Sequence, residues 1–430
     1  MGGAAAWQFA VHYADRWFAA NPGAGFSETP EFLKFFQKET LQPTNYERRL
    51  WHLYDCTDNA VNLYQCPTVA YSGELDIQKQ AADIMQTALK AEGIDLVHII
   101  GPQTKHRIHP DSLKEIETRL ATLAARGRER VPPEVHFVTY TLKYNRMNWV
   151  TIDGLGEHWQ QARVDAKLLP DNAALIKTKN VTDLSLQMPS GWCPFDIRRP
   201  IKLEIDGQLI ETPSPASDRS YNVSLHLEQG TWKLGRRASG GLRKQHDLQG
   251  PIDDAFLDSF IFVHPTSSSP HAAVDEWVQN EFKHALTHWR KQFRGHARVK
   301  DDTSIDEKDI AGANLILWGD PTSNAVIAKI ADKLPIRWDK DSLTVGDRDY
   351  SSSEHVPALI YPNPLNPRRY VVLNSGFTYR EYDYLNNARQ VPKLPDWAVI
   401  DIRTPPNSQY PGKIVEADFF DESWRLKRAN

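Results

Sequence analysis

Either side of Val131-Pro132-Pro133 the apolar residues of this chain recur with different periods, and that switch limits the fold more than any other feature. Up to about Arg130, helical spacing alternates with short apolar runs, the pattern of a parallel sheet with helices on its faces. The expected strands are Trp17 to Asn21, Pro67 to Ser72 and Asp95 to Ile100, set among helices Met1 to Ala14, Pro30 to Lys38, Asp76 to Ala91 and His109 to Arg126. The last helix has a marked start. Pro110 gives up an N–H that the first turn leaves unpaired, and Asp111 and Glu115 lie near the positive end of the helix dipole. After the prolines the period drops to two, with runs His136 to Leu142, Asn148 to Asp153, Trp159 to Leu168, Ala174 to Thr178, Asp183 to Met188, Ile201 to Ile205, Val223 to Leu227 and Thr231 to Leu234. Asp153-Gly154 and Asp206-Gly207 are turn signals between them. Such short, closely spaced strands predict a small antiparallel β-sandwich over residues 131–235. Residues 236–250, glycine-rich and basic with little apolar content, read as an exposed linker. From Pro251 to Asn430 the alternation of strands and helices returns, with strand Ser259 to His264, helix Ala272 to Arg294, strand Ala313 to Gly319, helix Ser323 to Lys333, strands near Ala358 to Tyr361 and Tyr370 to Asn374, helix Arg380 to Ala388 and strand Ala398 to Arg403. The expectation is a multidomain α/β protein: a parallel-sheet segment over 1–130, the sandwich, the linker, and a doubly wound α/β domain over 251–430, its tail irregular from Thr404.

Composition narrows the partners. Fifty-one basic against 55 acidic residues leave a formal net charge of -4, with no long single-sign run, so nothing draws the chain to nucleic acid or to an anionic membrane surface. Its longest apolar stretches, Leu96 to Ile100 and Asn314 to Trp318, are far short of the roughly 20 residues that span a bilayer. Cys56, Cys66 and Cys193 are too few for a disulfide framework and form no C-x-x-C pair; Cys56 and Cys66 are either paired or free and buried. No cofactor or metal motif stands out, and oligomeric state is not legible. No signal peptide opens the chain, so the sequence assigns no compartment; a secreted or periplasmic location requires a leader upstream of Met1. Met1 to Ala6 runs directly into the apolar helix pattern Trp7, Phe9, Ala10, Val11, Tyr13, as though the chain started inside a core. Met1-Gly2 is not a myristoylation signal, because Ala6 stands where Ser or Thr is needed.

The chemistry concentrates at two strand ends. The strand ending at Ser72 runs into Gly73-Glu74-Leu75-Asp76, and about thirty residues later the next strand runs into Gly101-Pro102-Gln103-Thr104-Lys105-His106. In α/β-hydrolases the catalytic acid and then the histidine occupy loops at the carboxyl ends of such strands, after a serine earlier in the chain. The histidine takes the serine proton, and a carboxylate on its other nitrogen fixes the tautomer and stabilises the imidazolium. Asp76 and His106 hold those places. The plainer reading makes Asp76 the N-cap of the next helix and His106 a loop histidine; His109 is a near alternative for the base.

The run Met1-Gly2-Gly3, then Trp7, Ala10, Tyr13, Asp15-Arg16-Trp17 and Asn21-Pro22-Gly23-Ala24-Gly25, resembles the prolyl-oligopeptidase-like α/β-hydrolases over about the first 125 residues. In that family the residues after Ser-x-Gly-Gly form the helix behind the nucleophile, and S-G-E-x-D and T-x-H stretches supply acid and base. The resemblance implies Asp76 as triad acid, His106 as base and the Met1 backbone N–H as an oxyanion-hole donor, with the chain amino-terminally truncated just after the nucleophile serine. It implies a serine peptidase or carboxylesterase acting on a peptide or ester substrate through an acyl-enzyme, without cofactor, and inactive where the serine is missing. The alternative is a non-catalytic binding or scaffold protein derived from a hydrolase.

Other candidates are weaker. Ser27 and Ser72 lie near the family's site but not between two glycines on a strand-to-helix turn. Glu281, His284 and His288 share one helix face, the histidines at the i, i+4 spacing of zinc ligands, yet without the H-E-x-x-H glutamate; a solvated face is the expectation. Gly319-Asp320-Pro321-Thr322-Ser323-Asn324 opens a helix where an anion could sit, but it lacks a P-loop lysine, and capping by Ser323 is expected. Asn180-Val181-Thr182 and Asn222-Val223-Ser224 match the glycosylation pattern.

Overall fold

The protein is described by a computed structural model covering residues 1–238 and 240–427. It is a mixed α/β chain with several sheets. Two compact units divide it: Met1–Gln42 with Trp51–Ser239, and Pro43–Leu50 with Gly240–Asn430.

In the first unit α1 (Gly2–His12) and α2 (Thr29–Gln37) come first; α3 (Asn45–Trp51) follows, its residues up to Leu50 grouping with the second unit. Pro30 in the first turn starts α2, and the Glu28 carboxylate accepts from the Glu31 N–H. After a 3-10 stretch, Cys56–Gln65, come β1 (Val69–Gly73), α4 (Gln80–Ala91), β2 (Val97–Gly101) and α5 (Pro110–Arg126). β1 and β2 pair in parallel, Val69 opposite Val97 and Gly73 opposite Gly101. The strand expected at Trp17 to Asn21 is reduced to two bridges, Ala20 with Thr68 and Gly23 with Tyr71, both parallel to β1. Pro22 between them has no N–H to donate.

Ten strands follow: β3 (Glu134–Thr139), β4 (Arg146–Met147), β5 (Val150–Leu155), β6 (Ala162–Leu169), β7 (Ala173–Lys179), β8 (Val181–Met188), β9 (Ile201–Ile205), β10 (Gln208–Thr212), β11 (Tyr221–Glu228) and β12 (Thr231–Leu234). They form two five-stranded sheets, ordered β10-β9-β7-β6-β3 and β12-β11-β8-β5-β4. All pairings are antiparallel except β7 with β9. Alternation sends Phe137, Val164 and Ile176 from one sheet, and Ile152, Leu184 and Leu225 from the other, into one core. Trp7, Ala10 and Val11 of α1 belong to that same core. Residue 130 therefore does not separate two cores. Buried Asn62 pins the junction: its amide donates to Val11 O and Val138 O, each at 2.9 Å, and accepts from Val138 N at 2.8 Å.

Residues 240–250 belong to the second unit and are not an exposed linker. Lys244 is fully buried against Asp396 at 2.6 Å, its ammonium 5.2 Å from the Trp424 ring centre, and Leu248 and Gln249 are buried beside it. The strands are β13 (Phe260–His264), β14 (Val299–Asp301), β15 (Asn314–Leu317), β16 (Arg337–Trp338), β17 (Ser342–Val345), β18 (Arg348–Ser351), β19 (His355–Asn363), β20 (Asn366–Leu373), β21 (Trp397–Asp401) and β22 (Lys413–Asp418); the helices are α6 (Ala272–Phe293), α7 (Glu307–Gly312) and α8 (Ala325–Ile330). A seven-stranded sheet runs β14-β13-β15-β20-β19-β21-β22. Its β14-β13-β15-β20 half is parallel, whereas β19, β21 and β22 are joined antiparallel, so the sheet is mixed rather than wound from parallel units throughout. β16, β17 and β18 make a separate meander. The expected helix Arg380 to Ala388 is two 3-10 segments, Glu381–Leu385 and Asn387–Arg389. All three cysteines are free and buried. Among the described residues no helix is long and apolar enough to cross a membrane.

Candidate active site

Because β1 and β2 end level, with Gly73 opposite Gly101, the loops that leave them emerge side by side. They are stitched together. Glu74 N donates to Gly101 O at 2.9 Å and Leu75 N to Thr104 O at 2.8 Å, while the Glu74 carboxylate accepts from Gln103 N at 2.8 Å. The approach is tight enough to exclude a side chain at Gly73, where a Cβ would lie 2.2 Å from Lys105 O and 2.4 Å from Thr104 O.

Tyr71, buried in β1, supports the second loop from beneath. Its hydroxyl donates to Arg107 O and accepts from His109 N, both at 2.9 Å, with Thr104 Oγ1 at 3.3 Å. These bonds bracket position 106.

On this scaffold Asp76 Oδ2 meets His106 Nδ1 at 2.8 Å. The Asp76 side chain is 5% exposed and that of His106 68%. An ionised carboxylate only accepts, so Nδ1 carries the ring proton and Nε2 is left basic and turned to solvent in the neutral ring. The other carboxylate oxygen, Oδ1, accepts from Gln78 N at 2.9 Å and caps the 3-10 turn Ile77–Lys79. Capping and histidine pairing, weighed as rivals from the sequence, are both performed by one side chain.

His109 is used otherwise. It caps α5, its Nδ1 accepting from Asp111 N at 3.3 Å, and the structure does not bring it to Asp76. Met1 opens α1. A Cβ on Gly3 would be 2.1 Å from Gly23 O, and Gly23 pairs with Tyr71. The amino end of α1, whose first-turn N–H groups have no intrahelical acceptors, thus lies at the carboxyl edge of the strands that carry Asp76 and His106.

Neither alternative serine faces this site. Ser27 is buried and donates to Ala81 O at 2.9 Å. Ser72 is fully enclosed, its hydroxyl 3.0 Å from His98 Nε2, with Asp83 3.9 Å from His98 Nδ1. Burial lowers the His98 pKa. The trio imitates a catalytic arrangement, but no substrate can reach an enclosed hydroxyl. Sequence reasoning missed it, because only the pairing of Ala70 with His98 places Ser72 and His98 on one face.

The helix-face candidates separate as well. Glu281 forms a buried pair with Arg380 at 2.6 and 3.1 Å, His284 Nε2 meets Glu381 at 2.9 Å, and His288 Nδ1 meets the Tyr384 hydroxyl at 2.6 Å. Glu281 and His288 are buried, so this is not a solvated face. Among the described residues no group of three or more His, Cys, Asp or Glu side chains could hold a metal ion. In the 319–324 turn Asn324, not Ser323, caps the helix, accepting from Val326 N and Ile327 N; Ser323 accepts from Asp320 N.

Comparison of the chain with protein-family models, curated proteins and solved structures finds no match.

Proposed function

We propose that this chain carries the acid and the base of a serine hydrolase, of the kind that the prolyl-oligopeptidase-like enzymes represent, cleaving peptide or ester bonds through an acyl-enzyme. The observation that carries the reading is the 2.8 Å pair of an enclosed Asp76 and an exposed His106 at the carboxyl ends of adjacent parallel strands. A serine Oγ adds to the substrate carbonyl carbon while its proton passes to His106 Nε2. Asp76 stabilises the imidazolium, and the same proton then goes to the leaving alcohol or amine as the carbon–oxygen or carbon–nitrogen bond breaks. Water repeats the sequence to free the acid. The reading requires a serine directly before Met1, outside the 430 residues, and gives the first turn of α1 the role of oxyanion donor.

A second reading has its own observation. Among the described residues His106 Nε2 has no serine hydroxyl as partner, as expected of a binding or scaffold protein derived from a hydrolase.

Fluorophosphonate labelling and ester hydrolysis separate the two, run on the chain as given and on a form extended upstream through that serine. The expected result is labelling of the extended form alone, with turnover falling on the order of 10⁶-fold in His106→Ala and on the order of 10⁴-fold in Asp76→Asn. If neither form labels, catalysis is excluded and the binding reading stands.

A further inference from the structure

The opposite end of the same parallel strands carries a concavity. It is a cleft of about 420 Å³ lined by Trp17, Phe18, Tyr64, Gln65, Asn148 and Arg126, among others. That volume falls within the roughly 300–1,000 Å³ of small-ligand pockets. Trp17 and Phe18 precede the bridge at Ala20, and Tyr64 and Gln65 precede β1, so the cleft lies at the strands' amino ends, away from Asp76 and His106.

Its rings are exposed, and those of Trp17 and Tyr64 are held. Trp17, Phe18 and Tyr64 are 44, 43 and 50% exposed, and a cluster of large exposed aromatics is the informative exception on a soluble surface. Trp17 Nε1 donates to Phe9 O at 3.1 Å. The Tyr64 ring packs against His136 edge to face at 4.5 Å, and its hydroxyl reaches Glu134 at 3.4 Å. Rings fixed in this way offer their faces without the entropy cost of ordering them on binding.

Polar groups share the lining. The charged side chains of Arg128, Glu129 and Glu134 line the cleft as well, so donors and acceptors both border the rings. Gln65 is held through its Nε2 to Glu134 O, and Arg126 brings a fan of donors. A purely apolar ligand would cover these polar groups without offering them a partner. A proline-rich peptide would use the rings but few of the amide and guanidinium groups. A pyranose has C–H faces that stack on aromatic rings and edge hydroxyls that both donate and accept, and it matches both halves of the lining.

We propose that this cleft binds a saccharide chain. Affinity electrophoresis of the full chain through gels containing hydroxyethyl cellulose, xylan, galactomannan or polygalacturonate tests it, the last arm separating uronate recognition through Arg126 from neutral-sugar recognition. The expected result is retardation by at least one polymer, with affinity falling about tenfold in Trp17→Ala, the loss of one stacked ring. Tyr64→Ser, at a half-exposed position, is expected to weaken binding likewise, and it stands in if Trp17→Ala misfolds. Unretarded migration in every gel overturns the proposal, as does retardation that both variants preserve, or binding of a polyproline peptide in place of the polymers. None of these readouts depends on hydrolysis.

Discussion

Asp76 spends its two oxygens on different tasks, Oδ1 on the Gln78 N–H and Oδ2 on His106, so Asp76→Asn keeps a capping acceptor while withdrawing the anion from the histidine. Both residues were legible in the sequence because each follows a strand end by a few positions, where loop chemistry concentrates. Tyr71 was not legible, since a tyrosine inside an apolar strand reads as core until the fold shows where its hydroxyl lands. Tyr71→Phe removes the bonds to Arg107 O and His109 N. Its expected cost is about 1 kcal/mol per bond in stability, together with loss or broadening of the downfield Nδ1–H proton resonance of His106. An unchanged resonance would mean that Tyr71 does not position the histidine. His12 offers a cleaner test of burial. Among the described residues neither ring nitrogen has a partner, the ring stacks on Tyr144 at 3.9 Å, and burial lowers its pKa from 6.5 to about 3. Below pH 6.5 the unfolded chain takes up a proton that the folded chain refuses, so this contribution to stability is full above pH 6.5 and is lost as the pH falls toward 3. His12→Phe keeps the stack and removes the unpaired nitrogens; it is expected to raise stability by about 1–3 kcal/mol and to flatten the acid limb of a denaturation series between pH 6.5 and 3.

Elements with strong periods were readable and weak ones were not. β9 and β12 fall where their alternation places them, and α6 ends within a residue of its expected end. β16, β17 and β18 were missed because strands of two to four residues are too short to establish a period. The segment at 380–389 was expected as one helix; its capping is made by Asp383 accepting from Arg380 N, and two 3-10 segments result. Residues 240–250 misled for a different reason: glycine and cation content predicts exposure, whereas Lys244 finds a carboxylate inside the core. Lys244→Met takes the cation away from the buried Asp396 carboxylate and leaves it neutral donors such as Phe420 N, and roughly 3–5 kcal/mol of destabilisation is expected. Lys244→Met/Asp396→Leu, which removes both charges, is expected to recover much of that loss. Calorimetry checks both: a double variant as unstable as the single one would show that packing rather than charge sets the cost.

At the scale of the molecule the sequence conveyed the α/β, all-β, α/β succession but not which pieces share a core. Trp7 and Phe137 lie in one cluster although 130 residues and a change of period separate them, because periodicity reports which face is apolar and not what covers it. That unity places Asp76 and the aromatic cleft on one unit, at opposite ends of β1. The five residues of β1, at about 3.3 Å each, make that separation roughly 16 Å or more. If both sites act as proposed, a polymer anchored at the cleft keeps its own ester bonds near His106 at an effective concentration far above that in bulk solution. Such an enzyme would favour bonds on a tethered polymer over the same bonds on a freely diffusing fragment, and the preference would fade once the polymer is cut shorter than the span.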